Sequence, residues 1–206
     1  MFSAVQGDAK SQVALGDMYR EGRQVRQDYK TVMDWYSRAA EQGDADGQCK
    51  VGYLYKVDLG VPNDYVKAME WYHKAADQGN AKAQYVTGIL HSEGQGIPKD
   101  FANAMGYYLK AALQGHAPSQ CKVGCSHSID DCVPVEFFKA MESLFKAANQ
   151  EYADAQDFIG VLLENGLGVL EDISNTIGWY EKAAGQGHAK AKEQLDRLKL
   201  NGYKIE

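Results

Sequence analysis

The sequence predicts an all-α protein, a right-handed α-solenoid (an α/α superhelix) of about five and a half helix-turn-helix repeats of 36 residues. From Gly7 the chain divides without insertion into blocks that begin at residues 7, 43, 79, 115 and 151, and a partial sixth block begins at Gly187. Alanine, glutamine and glycine recur as the third, sixth and tenth residues of the five full blocks. One helical hairpin of this length cannot bury its apolar face alone, so the copies are expected to stack into one continuous core.

Each block is expected to hold two helices joined by a loop. In the second block the helices are "ADGQCKVGYLYK" and "DYVKAMEWYHKAAD", with Asp64 as the cap of the second helix. The loop "VDLGVPN" contains a helix-terminating proline, and Asp58 stands where other blocks have glycine in this loop, because aspartate tolerates the left-handed conformation. The small residues Gly52, Ala75 and Ala76 are expected to let the two helices approach closely.

The large apolar residues of the repeat are expected to fill the space between hairpins. In the second block these are Tyr55, Met69 and Tyr72, with Trp71 directed toward a neighbouring hairpin. Methionine recurs at one repeat position, and we interpret this stripe as core packing rather than as a cofactor site. Its members are Met33, Met69, Met105 and Met141, with Ile177 in the fifth block.

The block boundaries predict one solenoid domain. Residues 1–6 are interpreted as the end of a preceding repeat helix, followed by repeats at 7–42, 43–78, 79–114, 115–150 (divergent) and 151–186, and by a capping helix and tail at 187–206. Because a complete preceding hairpin is missing, we expect a fragment of a longer array or a first repeat covered by a partner. An exposed first helix with Val13, Leu15 and Met18 would be a surface for self-association.

Composition narrows the class of protein. The chain has 206 residues, 45% of them hydrophobic, and a net charge of −6, which disfavours binding to nucleic acid. No apolar run is long enough for membrane insertion. Four cysteines (Cys49, Cys121, Cys125 and Cys132) show no C-x-x-C spacing, so free thiols and a cytoplasmic location are expected.

The divergent fourth block contains the segments that most resemble a catalytic motif and a metal site. Its "GCSHS" segment is one residue away from a nucleophile elbow, but Ser126 is expected inside a helix rather than between a strand and a helix. A zinc site built from Cys121, Cys125, His116, His127 and Cys132 is the alternative, and buried or groove-lining cysteines are the favoured interpretation. No nucleotide-binding or zinc-protease motif occurs, so no catalytic residue, cofactor or metal is predicted.

The block pattern resembles the Sel-1-like repeat, a relative of the tetratricopeptide repeat. The resemblance rests on G-[DN]-A-x-x-Q-x-x-x-G, G-x-G-V-P-x-D-Y and K-A-x-x-W-Y-x-K-A-A-x-Q-G, and it covers residues 3 to 200. It implies an adaptor or scaffold that binds a protein or peptide partner and is not itself catalytic. It also implies that the first helices line a concave groove, which the fourth, seventh, eleventh and fourteenth repeat positions would face.

These positions give the predicted peptide-binding residues. They are Arg20, Asp46, Cys49, Tyr53, Lys56, Lys82, Tyr85, Ile89 and Cys125. Aromatic and aliphatic side chains at the centre with lysine and arginine at the edge suit a peptide with aliphatic anchors and some acidic residues. Two alternatives stay open: a regulatory repeat fragment of a larger signalling or ubiquitin-ligase-type assembly or of a fused enzyme, and a zinc-binding or redox-sensitive fourth block.

Overall fold

The computed structural model describes residues 2–129, 137–167 and 171–203, and within these ranges every regular element is a helix. The fold is the predicted all-α solenoid of helical hairpins. The helices are α1 (Phe2–Val5), α2 (Ala9–Glu21), α3 (Tyr29–Glu41), α4 (Ala45–Val57), α5 (Tyr65–Asp77), α6 (Ala81–Glu93), α7 (Phe101–Leu113), α8 (Ala117–Ile129), α9 (Phe137–Ala148), α10 (Ala153–Glu164), α11 (Ile173–Gly185) and α12 (Ala189–Leu200).

The chain forms two compact units, residues 1–111 and residues 112–206, and α7 crosses the boundary. In the first unit α2 packs on α3, α3 on α4, α4 on α5 and α5 on α6. In the second unit α8 packs on α9, α9 on α10, α10 on α11 and α11 on α12. The helices of each unit therefore pack as successive antiparallel hairpins, and one domain spanning both units stays a prediction.

Side-chain caps fix the helix boundaries. Asp44 accepts a hydrogen bond from the backbone N–H of Gly47, and Asp64 accepts one from Lys67, as the sequence predicts for that residue. At the end of α4, Asp58 has a φ of 58°, in the left-handed region that glycine occupies after α2 and α6. The loops after α2, α4 and α6 therefore each begin at a residue in the left-handed conformation.

The tenth-position glycine makes room for a buried aromatic ring. A Cβ atom added to Gly88 would lie 2.6 Å from Cε1 of Tyr108, and one added to Gly160 would lie 2.5 Å from Cε1 of Tyr180. Each tyrosine is buried and lies in the second helix of the hairpin whose first helix carries the glycine. The glycine is required because the ring of the partner helix occupies the space of its missing side chain.

Two sets of glutamines form recurrent hydrogen bonds within each unit, one set to the end of the preceding helical hairpin and the other between the two helices of one hairpin. The buried sixth-position glutamine donates its amide to an alanine carbonyl eight residues earlier, at the end of the preceding hairpin. These pairs are Gln12–Ala4, Gln48–Ala40, Gln84–Ala76, Gln120–Ala112 and Gln156–Ala148. Its Oε1 accepts a bond from the glutamine that follows the second helix, in the pairs Gln42–Gln12, Gln78–Gln48, Gln150–Gln120 and Gln186–Gln156.

Four of the five members of the methionine stripe lie in the core, as predicted, and Met105 is half-buried. Met69 and Met141 are buried, and Met33 and Ile177 pack against buried clusters of their own hairpins. Trp71 also packs against the cluster built around Val32 and Leu54, which α3 of the preceding hairpin and α4 of its own hairpin form together. No cofactor role is needed to explain these residues.

One premise of the self-association hypothesis is wrong. Val13 and Leu15 are only 7% and 4% exposed, in the helix α2, which packs against both α1 and α3. Those two side chains therefore offer no apolar surface to a second copy. Among the described residues, no helix combines the length and the apolar character that a membrane span requires.

One residue of the alternative zinc site, Cys132, lies outside the described residues. Ser126 and His127 lie within α8, and Ser126 is therefore helical, as expected, but their side chains are not described.

Candidate functional site

The first helices α2, α4 and α6 of residues 1–111 carry eight of the nine predicted binding residues. Spacings of three and four residues place Asp46, Cys49, Tyr53 and Lys56 on one side of α4. The same spacing places Lys82, Tyr85 and Ile89 together on α6, and Arg20 lies near the end of α2. We call the surface formed by these eight residues the first-helix face.

A pocket of about 180 Å³ lies in this face. Seven residues line it: Arg20, Tyr36, Asp46, Cys49, Lys50, Tyr53 and Lys82. Five of them are predicted binding residues, drawn from three different hairpins. The fold therefore brings together side chains that are as far as 62 positions apart in sequence (20 to 82).

The base of the pocket is buried and neutral. Cys49 is 2% exposed, and its burial raises the pKa of the thiol to about 11, although the nearby Lys82 ammonium opposes the rise. Tyr36 is 1% exposed, and burial together with its bond to Asp17 raises the pKa of the phenol. Both groups stay protonated near neutral pH.

Asp17 organises the side of the pocket toward α2. Its carboxylate accepts a bond of 2.6 Å from the Tyr36 hydroxyl and bonds of 3.0 and 3.2 Å from Nζ of Lys50. Burial alone would raise the pKa of Asp17, but these hydrogen bonds outweigh it and lower the pKa. Arg20 lies 3.6 Å from the same carboxylate and also donates to Glu21 over 2.7 Å. Arg20 and Lys50 therefore already have anionic partners.

Lys82 differs from the other two cations of the pocket. Its side chain is exposed, and within the described part of the chain its ammonium makes no hydrogen bond and no ion pair. The single anionic side chain of the lining, Asp46, lies 3.9 Å from Lys50. The lining thus holds three cations and one anion, and one of the cations is available to a ligand.

Tyr53 supplies the apolar wall, since its side chain is 38% exposed at the pocket. The remaining predicted residues of the face lie outside the pocket lining. Tyr85 is half-buried with its ring 5.9 Å from that of Tyr108, and Ile89 and Lys56 are half-buried on α6 and α4. These three extend the face without forming the pocket.

Cys125 lies on α8, in the other unit, and is not part of this site. Its Sγ lies 3.9 Å from Sγ of Cys121, and that contact together with burial raises the pKa of Cys121. Of the other ligands weighed for zinc, Nδ1 of His116 lies 2.8 Å from Ser119 Oγ, which favours a role at the start of α8. Within the described residues no group of three or more His, Cys, Asp or Glu side chains is placed to hold a metal ion.

Sequence reasoning missed Asp17, Lys50 and Tyr36. Asp17 is the eleventh residue of its block, so the rule that selected Tyr53 and Ile89 selects it when applied to the first repeat. Lys50 follows Cys49 directly and reaches across to α2, which its own repeat position does not indicate. Tyr36 belongs to a second helix and reaches the pocket because Gly16 leaves space for its ring.

Comparison with known proteins identifies the repeat. The family described as Sel1 repeat matches residues 9–44, 45–80, 81–116 and 153–188, and the chain belongs to this family. Sel1 repeats are generally scaffolds that mediate protein interactions. Curated protein sequences give no significant match.

Solved structures agree with this assignment. A Sel1 repeat protein from Oxalobacter formigenes is 28% identical with a TM-score of 0.90, and the match covers 98% of this chain and 81% of that one. The protective antigen c5321 of uropathogenic Escherichia coli, which displays an SLR fold, is 31% identical with a TM-score of 0.86; 98% of this chain matches 43% of that chain, so this chain spans less than half its length. The immunity protein Pa5087 of Pseudomonas aeruginosa is 21% identical with a TM-score of 0.61 over 89% of this chain and 67% of that one, and it shares the fold.

Proposed function

We propose that this Sel1 repeat chain is a non-catalytic adaptor that holds a peptide segment of a partner protein on its first-helix face. The observation that carries the proposal is the pocket in that face, where Arg20, Cys49, Tyr53 and Lys82 meet from three successive hairpins. A pocket with an exposed aromatic wall and a few placed charges is typical of the central contact of a protein interface.

The structure around the pocket favours binding without rearrangement. Tyr36 is buried beneath it, and Asp17 holds both Tyr36 and Lys50. Side chains held in this way lose little further freedom when a ligand binds, so less of the interaction energy is spent on ordering them. The face is therefore suited to a segment that lies across α2, α4 and α6.

The cytoplasm is part of this proposal. Among the described residues Cys49, Cys121 and Cys125 form no disulfide, and a reducing compartment keeps thiols in that form. An adaptor there would act by bringing the bound partner to a second protein held elsewhere on the helices.

The test is recovery of partners from the source organism with the wild-type chain and with Tyr53→Ala. We expect at least one partner to be retained by the wild type and to be lost, or reduced about tenfold, with Tyr53→Ala, because truncation of a central interface tyrosine costs on the order of 1–2 kcal/mol. Val66→Ala is the matched control, since Val66 is 56% exposed on the second helix α5. Equal recovery with Tyr53→Ala and wild type, with loss on Val66→Ala instead, would assign binding to another face.

A further inference from the structure

We propose that the first-helix pocket binds the carboxylate of an aspartate or glutamate at an internal position of the partner segment, with Lys82 as its ion-pair partner. This inference rests on the proposed function, because it names the chemistry that the first-helix face recognises. It adds a charge requirement and a specific residue to what would otherwise be a general interaction surface.

The charges of the pocket carry the first step. Lys50 and Arg20 are occupied by Asp17, and Arg20 also by Glu21. Lys82 has no such partner within the described residues. A ligand carboxylate at Lys82 would therefore gain a new ion pair and would not have to displace an existing one.

Lys82 is the distinctive cation of this pocket. Arg20 and Lys50 are opposed by Asp17, Glu21 and Asp46 within ion-pair distance, whereas Lys82 forms no ion pair within the described residues. One carboxylate at Lys82 would therefore fix the position of the segment along the helices.

The number of available cations selects a carboxylate over a phosphate. A phosphorylated side chain carries about two negative charges at neutral pH, and Lys82 can balance one of them. The second charge would face Asp46, which lies in the same lining. A singly charged group is matched by the one available cation.

The neighbouring apolar surface defines the rest of the motif. Tyr53 offers an exposed ring, and Cys49 at the base stays neutral because burial raises its pKa to about 11. An apolar side chain close to the acidic residue would cover the ring of Tyr53. We therefore expect a segment in which an acidic residue stands beside an aliphatic or aromatic one.

The experiment uses the full chain and a displayed library of random peptides of about twelve residues, joined to the carrier at both ends so that no terminal carboxylate is free. Peptides that bind the wild type and fail to bind Tyr53→Ala are selected as ligands of the first-helix face. They are then synthesised with acetylated and amidated ends, and their affinities are measured for wild type, Lys82→Met and Lys82→Glu. Lys10→Met is the matched control, because Lys10 occupies the same repeat position in the first block and lies outside the pocket.

We expect the selected peptides to share an acidic residue. Exchange of that residue for its amide should weaken binding about fivefold, as for an exposed ion pair, and so should Lys82→Met. The two changes combined should weaken binding no more than either alone, because both remove the same interaction. Lys82→Glu should weaken binding more, and a lysine in place of the acidic residue should restore it. Lys10→Met should bind as the wild type does.

Two other results separate this inference from the proposed function. Peptides that depend on Tyr53 but lack an acidic residue, or bind Lys82→Met unchanged, would overturn the carboxylate proposal and leave the first-helix face as the binding surface. A phosphorylated form that binds more tightly than the carboxylate form would also overturn it. If no selected peptide depends on Tyr53, both proposals fail.

Discussion

Nε2 of Gln78 donates a hydrogen bond of 2.8 Å to Oε1 of Gln48, thirty positions earlier in the chain. Gln48 in turn donates a bond of 3.3 Å to the carbonyl of Ala40, at the end of the preceding hairpin. The buried amide of Gln48 therefore donates to a backbone carbonyl at the end of one hairpin. Its own oxygen accepts a bond from Gln78, which follows the second helix of the next hairpin. Both glutamines recur in the blocks because they act together: the first hydrogen-bonds to the preceding hairpin, and the second holds the side chain of the first in place.

Gln48→Leu should destabilise the protein by about 1–3 kcal/mol, because two hydrogen bonds are lost, from Gln48 to the carbonyl of Ala40 and from Gln78 to Gln48. The Ala40 carbonyl keeps its bond of 3.0 Å from the N–H of Gly43. Urea unfolding followed by circular dichroism measures the free energy of unfolding. Gln6→Leu is the control, since Gln6 is exposed and should change this free energy little. Equal stability of Gln48→Leu and wild type would show that the glutamine tie contributes nothing.

Gly88→Ala should destabilise by about 1–3 kcal/mol, because the new methyl group would lie 2.6 Å from the buried ring of Tyr108. Gly106→Ala is the matched control in the adjacent helix α7. A Cβ atom there meets no atom within 4 Å, so removal of a helical glycine should stabilise by about 0.5–1 kcal/mol. The two glycine-to-alanine substitutions should therefore change the melting temperature in opposite directions relative to wild type. A change in the same direction for both would contradict the prediction.

Asp58 should tolerate glycine and reject alanine. Its φ of 58° strains a residue with a Cβ atom, while its Oδ1 accepts a bond of 3.1 Å from the backbone N–H of Asn63. Asp58→Gly loses that hydrogen bond but relieves the backbone strain, so its free energy of unfolding should stay within about 0.5 kcal/mol of that of the wild type. Asp58→Ala loses the bond and keeps the strain, so it should cost about 1 kcal/mol or more. Thermal unfolding of the two variants decides, and alanine as stable as glycine would show that the strain is negligible.

Two histidines stack with Tyr107 in the first unit, and one of them, His91, is expected to make stability depend on pH. His73 and His91 have ring centroids 5.8 Å apart, and each lies within 5.8 Å of the Tyr107 ring. Within the described residues, Nε2 of His73 and Nδ1 of His91 are buried without a hydrogen-bond partner. Burial and the neighbouring His73 lower the pKa of His91 below 6.5, although Asp100 opposes this.

A lowered histidine pKa means that the unfolded chain binds the proton more readily than the folded chain. The contribution to stability is therefore present above pH 6.5 and is lost as the pH falls from 6.5 through the lower folded pKa. His91→Tyr, which restores the residue of the first two repeats (Tyr19 and Tyr55), should reduce this loss between about pH 8 and pH 5. Urea unfolding at both pH values tests it, and an unchanged pH dependence in His91→Tyr would assign the effect elsewhere.

The sequence was sufficient to predict the hairpins because their signals are local. Asp64 and Asp58 act within a few residues of their positions in the chain, so a cap or a left-handed turn can be inferred from its immediate neighbours. The tenth-position glycine was likewise interpreted correctly as a point of close approach. Its partner was not identified, because Tyr108 reaches Gly88 from twenty positions away.

The candidate site was predicted in part. Repeat periodicity selected Arg20, Cys49, Tyr53 and Lys82 for one face, and the structure places all four around one pocket. Periodicity could not show that Asp17 pairs with Arg20 and Lys50 while Lys82 has no ion pair among the described residues, since ion pairs between hairpins depend on side-chain reach. Binding by this face is a proposal that the peptide experiments test.

By itself the sequence determined the repeat length, the helices and the stacking of hairpins, because a period of 36 residues with fixed small and apolar positions leaves one way to bury each hairpin. Only the tertiary structure decided that Val13 and Leu15 are covered and that the pocket has one available cation. The physical reason is that burial and charge pairing depend on which side chains of different hairpins come within a few ångströms of one another, and the spacing of residues along one chain does not specify that.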